Sequence, residues 1–85
     1  MKQLKYRITD EFGLHARPAG QLVKAMTQFQ CGVKIGTPAK MVDAKRILGV
    51  MSLAIKYGEE ITMEFQGEDE TEALSEAEKI LKEHL

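Results

Sequence analysis

The chain opens on a strict alternation. Over residues 2–9, Leu4, Tyr6 and Ile8 share one face and Lys5, Arg7 and Thr9 the other, the period of a half-buried strand. Residues 10–13 read as a turn. From Pro18 the spacing changes. Ala19, Leu22, Val23 and Met26 form an i, i+3, i+4, i+7 stripe, which predicts a helix running to about Thr27. Pro18 is tolerated there because the first helical turn has no partner for its N–H. Val33 and Ile35 alternate within 32–37, Thr37-Pro38-Ala39-Lys40 reads as a turn, and 41–43 as a second short strand. Residues 46–56 are apolar at helical spacing, and Gly58 ends them. Over 60–66, Ile61, Met63 and Phe65 alternate with Thr62, Glu64 and Gln66. Gly67-Glu68 is a turn. Asp69 is expected as the N-cap of a last helix, with Glu72 as its capping-box partner and Leu74, Ala77, Ile80 and Leu81 as its buried stripe.

Strand, helix, strand, strand, helix, strand, helix predicts an α+β sandwich, one sheet with its helices on one face. The short turn makes the second and third strands antiparallel. Lys5, Arg7, Thr62 and Glu64 suit a solvated outer sheet face. Eighty-five residues are expected to form a single domain, 1–85, whose folded surface would be about 5,000 Å². That supports one modest core and no deep, lidded cavity. The net charge of −1 does not indicate a basic groove for nucleic acid. The single cysteine, Cys31, allows no intrachain disulfide and fits a reducing compartment. No apolar run reaches the roughly 20 residues of a membrane span, and the N-terminus lacks an apolar signal core. A soluble, cytoplasmic, monomeric protein is expected.

The segment richest in chemistry is Gly13-Leu14-His15-Ala16-Arg17-Pro18-Ala19. His15 lies just before the first helix and Arg17 at its entrance, where unpaired N–H groups and the positive dipole end suit an anion. A phosphorylated His15 could be held there by the backbone N–H groups of Ala16 and Arg17 and by the Arg17 side chain. The residues alone equally admit a loop or N-cap histidine beside a solvated arginine. Lys24, seven residues after Arg17, returns to the same helical face. No carboxylate is expected to flank His15 closely and serve as a base for water. The second segment is Ile47 to Ile55. Its apolar arc spans about 220°, against the roughly 100° a surface helix needs. Either the helix is short and deeply docked, or part of the arc, with Met51, is exposed for a partner. His84, close to the end of the sequence, and Cys31 read as structural or solvated. Two histidines without nearby cysteines or paired carboxylates offer no metal site, and no cofactor is implied.

Gly13 to Ala19, Gly49-Val50-Met51-Ser52-Leu53, and the stretches Gly58–Ile61 and Gly67–Leu74 together resemble the HPr family. These are the histidine-containing phosphocarriers of the bacterial phosphoenolpyruvate-dependent sugar phosphotransferase system. The match is in register over essentially the whole chain. It implies an open-faced β-sandwich of βαββαβα order, with a four-stranded antiparallel sheet and three helices on one side. It also implies that His15 is phosphorylated on Nδ1 by enzyme I and passes the group to IIA proteins or domains. Arg17 would be the active-site arginine. The phosphate would lie against Ala16, Arg17 and Pro18 at the helix start. Ile47, Leu48 and Met51, with Lys24, would form the partner-docking surface.

One position departs. In low-GC Gram-positive members a serine just before the second helix is phosphorylated by an ATP-dependent kinase. Arg46 stands there and cannot accept a phosphoryl group. Ala54, where members often carry glycine, and the Thr37–Lys40 turn are lesser departures. The competing reading is a related regulatory module that docks partners through Ile47, Leu48 and Met51 outside sugar uptake. The intact His15 argues against it.

Overall fold

The computed structural model describes all 85 residues. The elements are β1 (Lys2–Arg7), α1 (Ala16–Met26), β2 (Gly32–Thr37), β3 (Lys40–Asp43), α2 (Ile47–Met51), β4 (Glu60–Gln66) and α3 (Glu70–His84). The order is the one expected from the sequence. The four strands form one antiparallel sheet in the order β1-β4-β2-β3.

Alternation along β4 sets the two faces. Ile61, Met63 and Phe65 are fully buried, while Glu60 and Gln66 are exposed. Val33 pairs with Phe65 and Ile35 with Met63 on one side. Leu4 pairs with Met63 and Tyr6 with Ile61 on the other. Leu4 and Tyr6 stay half-buried because β1 is an edge strand. The opposite face carries the pairs Lys5–Thr62 and Lys34–Glu64, polar groups that tolerate water.

The helices cover the apolar face. α1 buries Ala19, Leu22 and Met26, and α3 buries Ala73, Ala77, Ile80 and Leu81. Small side chains at 73 and 77 let the first turns of α3 come close to the layer below. Phe65, at the centre, contributes about 2–3 kcal/mol relative to an exposed side chain. The buried set is wholly apolar, and no buried side-chain polar atom lacks a partner. The folded surface is 5141 Å², close to the expectation for this length.

Several boundaries differ from the sequence reading, each for a local reason. β1 ends at Arg7, not residue 9. Ile8 N–H bonds Glu59 O outside the ladder, and Thr9 and Asp10 N–H turn to Leu85 O. α1 begins at Ala16 with His15 as N-cap, which makes Pro18 its third residue. The largest difference is α2, which spans five residues where 46–56 were expected. The chain leaves the helix through Ala54, whose φ is +51°, a left-handed conformation no helix continues through. Ala54 is consequently exposed, and Ile55 is buried outside the helix.

The expected Asp69–Glu72 capping box does not form. Asp69 is the N-cap, but its side chain makes no cap bond. Its Oδ2 instead accepts Gln30 N–H at 2.8 Å and its Oδ1 accepts Cys31 N–H at 2.9 Å. Glu70, not Glu72, reaches back, accepting Gly67 N–H at 3.1 Å.

Candidate functional site

The loop before α1 is built around Gly13. Its φ is +69°, and a Cβ there would collide with the Ile55 carbonyl and Lys56, so only glycine fits both the turn and the close approach. Leu14 follows, buried, and donates its N–H to Ile55 O at 3.0 Å. This bond ties the loop to the segment leaving α2. His15 comes next in extended backbone. Its carbonyl accepts Ala19 N–H at 3.0 Å, but its ring makes no cap bond. The imidazole is therefore free of the helix and 39% exposed.

Beyond the ring, the N–H groups of Ala16 and Arg17 have no protein acceptor. Pro18 is buried and has no N–H to offer. The first turn of the helix itself contains no acidic side chain to offset the positive dipole end. Arg17 and Lys24 are exposed and form no ion pair. The sequence candidates His15, Ala16, Arg17 and Pro18 thus meet at one helix entrance.

Two neighbours escaped the sequence reading. The Asp10 carboxylate Oδ2 lies 3.4 Å from His15 Nε2. This corrects the expectation that no carboxylate stands close to His15. Phe12 meets the ring edge-on, with centroids 5.9 Å apart, and is 73% exposed. Asp10 followed three residues later by Gly13 is a turn signal, but no spacing rule aims the carboxylate at the ring.

Of the docking candidates, Leu48 is 82% exposed and Ile47 39%. Met51 is half-buried and packs against the core. Val50 is the residue α2 buries. Part of the apolar arc is therefore open, on the helix whose outgoing chain braces the His15 loop. Arg46 is the N-cap of α2 with no cap bond, and pairs loosely with Asp43 at 3.7 Å. Cys31 is buried, and its thiol is pushed up by burial and then by the adjacent Asp69, the profile of an inert thiol. No three His, Cys, Asp or Glu side chains converge on a possible metal position. No helix is long and apolar enough to cross a membrane. A hollow of about 320 Å³ lies on the outer sheet face among Lys34, Asp43, Lys45, Glu64 and Gln66. It is not at His15, and an exposed histidine needs no pocket of its own if it is to enter a partner's.

The chain matches the family model for the PTS HPr component phosphorylation site over residues 2–83. It belongs to the HPr family. The chain is 41% identical over 83 residues to the phosphocarrier protein HPr of Lysinibacillus sphaericus, covering 98% of this chain and 94% of that protein. The histidine-containing phosphocarrier protein of a Mycoplasma superposes with a TM-score of 0.93 at 35% identity, covering 96% and 93% of the two chains. Crh of Bacillus subtilis, a catabolite repression protein solved as a swapped, intertwined dimer, is 40% identical, with a TM-score of 0.76 over 100% and 98%. The fold is thus the open-faced HPr sandwich, and the chain is a phosphocarrier of the phosphotransferase system, not an enzyme.

Proposed function

We propose that this member of the HPr family accepts a phosphoryl group on Nδ1 of His15 from phospho-enzyme I and donates it to IIA proteins or domains, as a single domain, 1–85, in the cytoplasm. The observation that carries the reading is the placement of His15. Its ring is exposed and uncommitted as a cap, beside the two unpartnered N–H groups of Ala16 and Arg17. Those donors, and an Arg17 side chain engaged in no ion pair, are available to the three oxygens of a phosphoryl group on the ring. The nucleophile divides one transfer between proteins into two transfers through a covalent intermediate.

Docking uses Leu48, Ile47 and Met51, with Lys24 and Arg17 as a positive rim. Leu48 has no role in the core, and exposed apolar area beside a reactive side chain favours a protein partner. Arg46 closes the seryl regulatory branch, because no hydroxyl is present at that position. The protein acts as a monomer. A swapped dimer of the kind described for Crh would show twice the mass in light scattering.

The relay is tested by a chase. Phosphorylated protein, freed of enzyme I, is mixed with a IIA domain and both masses are followed. Loss of the adduct here and its appearance on the IIA domain supports the carrier reading. A stable adduct that no IIA domain removes favours a regulatory role outside sugar uptake.

A further inference from the structure

The Asp10–His15 contact is built, not incidental. Asp10 Oδ1 accepts Phe12 N–H at 2.8 Å, closing an Asx turn. The Asp10 N–H donates to Leu85 O at 3.0 Å, and its carbonyl accepts Gly13 N–H at 2.9 Å. One backbone N–H therefore holds the carboxylate and two backbone bonds hold its residue, so that the other oxygen faces His15 Nε2. An ionised carboxylate only accepts. It selects the ring form that carries its proton on Nε2, which leaves the lone pair on Nδ1.

We propose that Asp10 is a positioning residue that holds His15 as the Nε2–H tautomer, with Nδ1 as the nucleophile. The proposal rests on the reading of His15 as a phosphoryl acceptor. In the transfer from a phosphohistidine donor, the Nδ1 lone pair forms the new N–P bond. The donor's N–P bond breaks, and its electron pair returns to the donor's ring nitrogen. The proton on His15 Nε2 stays in place, and the positive charge the ring acquires faces the Asp10 carboxylate. The carboxylate sits at the ring edge away from Nδ1, so it does not serve as a base for water attacking the new bond.

Asp10→Asn separates positioning from loop support. Phe12 N–H needs an acceptor, so the amide oxygen keeps that bond and the NH₂ turns to the ring. Nε2 must then accept, and the proton moves to Nδ1. The same exchange at the orienting aspartate of a hydrolase triad gives the wrong tautomer.

The experiment records ring ¹⁵N shifts of the unphosphorylated protein by NMR at about pH 8.5, above the ordinary histidine range. It also measures the rate of phosphorylation by phospho-enzyme I. Wild type is expected to show Nε2–H alone. Asp10→Asn is expected to show Nδ1–H and to transfer at least about tenfold more slowly, and Asp10→Ala to show a mixture and a loss of about threefold. A ring in Asp10→Asn with the wild-type tautomer overturns the proposal, as does an inverted tautomer with an unchanged rate. If the wild type takes no phosphoryl group while Asp10→Asn inverts the tautomer, the carrier reading fails and the orienting contact stands. If the wild type is phosphorylated and the variant ring is unchanged, only the positioning role fails.

Discussion

Asp69 Oδ1 accepts the backbone N–H of Cys31 at 2.9 Å, across 38 residues of sequence. With the bond from Gln30 N–H, it fastens the start of α3 to the segment that enters β2. The bond from Gln30, followed by those from the Cys31 thiol and N–H, holds the Asp69 carboxyl below its ordinary 3.8. The folded state therefore favours the ionised form. Its contribution to stability is complete above about pH 5 and is lost as pH falls through the lowered folded-state value. Asp69→Asn should lower the melting temperature near neutral pH. It should also flatten the acid side of the stability profile, read as melting temperature from pH 6 down to pH 2. A variant with the wild-type slope would show that this carboxylate is not the coupled group.

Ala54 stores strain. A non-glycine residue in the left-handed region costs roughly 1–2 kcal/mol, and the exposed Ala54 side chain has no buried contact to lose. Glycine gives back part of that gain through the entropy of the unfolded chain. Ala54→Gly should stabilise by about 0.5–1 kcal/mol, raising the melting temperature by a few degrees. Calorimetry showing a fall would mean that Ala54 is not strained.

Leu48 separates docking from folding better than Met51 does, because Met51 also packs on the core. Leu48→Glu should slow transfer from phospho-enzyme I by about tenfold, equivalent to about 1.4 kcal/mol. The melting temperature should stay within a few degrees of wild type. Unchanged transfer kinetics would remove Leu48 from the interface.

Arg46 should leave the protein unmodified by the ATP-dependent HPr kinase, since no hydroxyl stands at the start of α2. Mass spectrometry that finds a phosphoserine after incubation with kinase and ATP would contradict this. Arg46→Ser would also supply the missing cap bond, worth about 0.5–1 kcal/mol.

What the sequence revealed and what it hid divide along local and non-local lines. Element order, the inner faces of β2 and β4, and most of the stripes of α1 and α3 follow from periods of 2 and 3.6, although Leu74 and Val23 are only half-buried and Ala73 takes the buried place expected of Leu74. They were legible because burial imposes those periods directly. The place of His15 and Arg17 at a helix entrance was legible in their motif, whereas the width of the apolar arc at 47–55 left open whether part of it is exposed. The early end of α2 was not legible, because an apolar run carries no mark of the positive φ at Ala54. Asp69 gave a capping signal, but its carboxylate found stronger partners at Gln30 and Cys31, which lie far away in sequence. Asp10 announced a turn, and only the folded loop turned its second oxygen to His15.

The proposed relay depends first on His15 as the carrier of the phosphoryl group. The direct measurement is intact mass after incubation with phosphoenolpyruvate and enzyme I, beside a His15→Ala control. An acid-labile adduct of one phosphoryl group on the wild type alone is the predicted result. No adduct on a folded protein with active enzyme I, or an adduct that persists in His15→Ala, would contradict that role for His15.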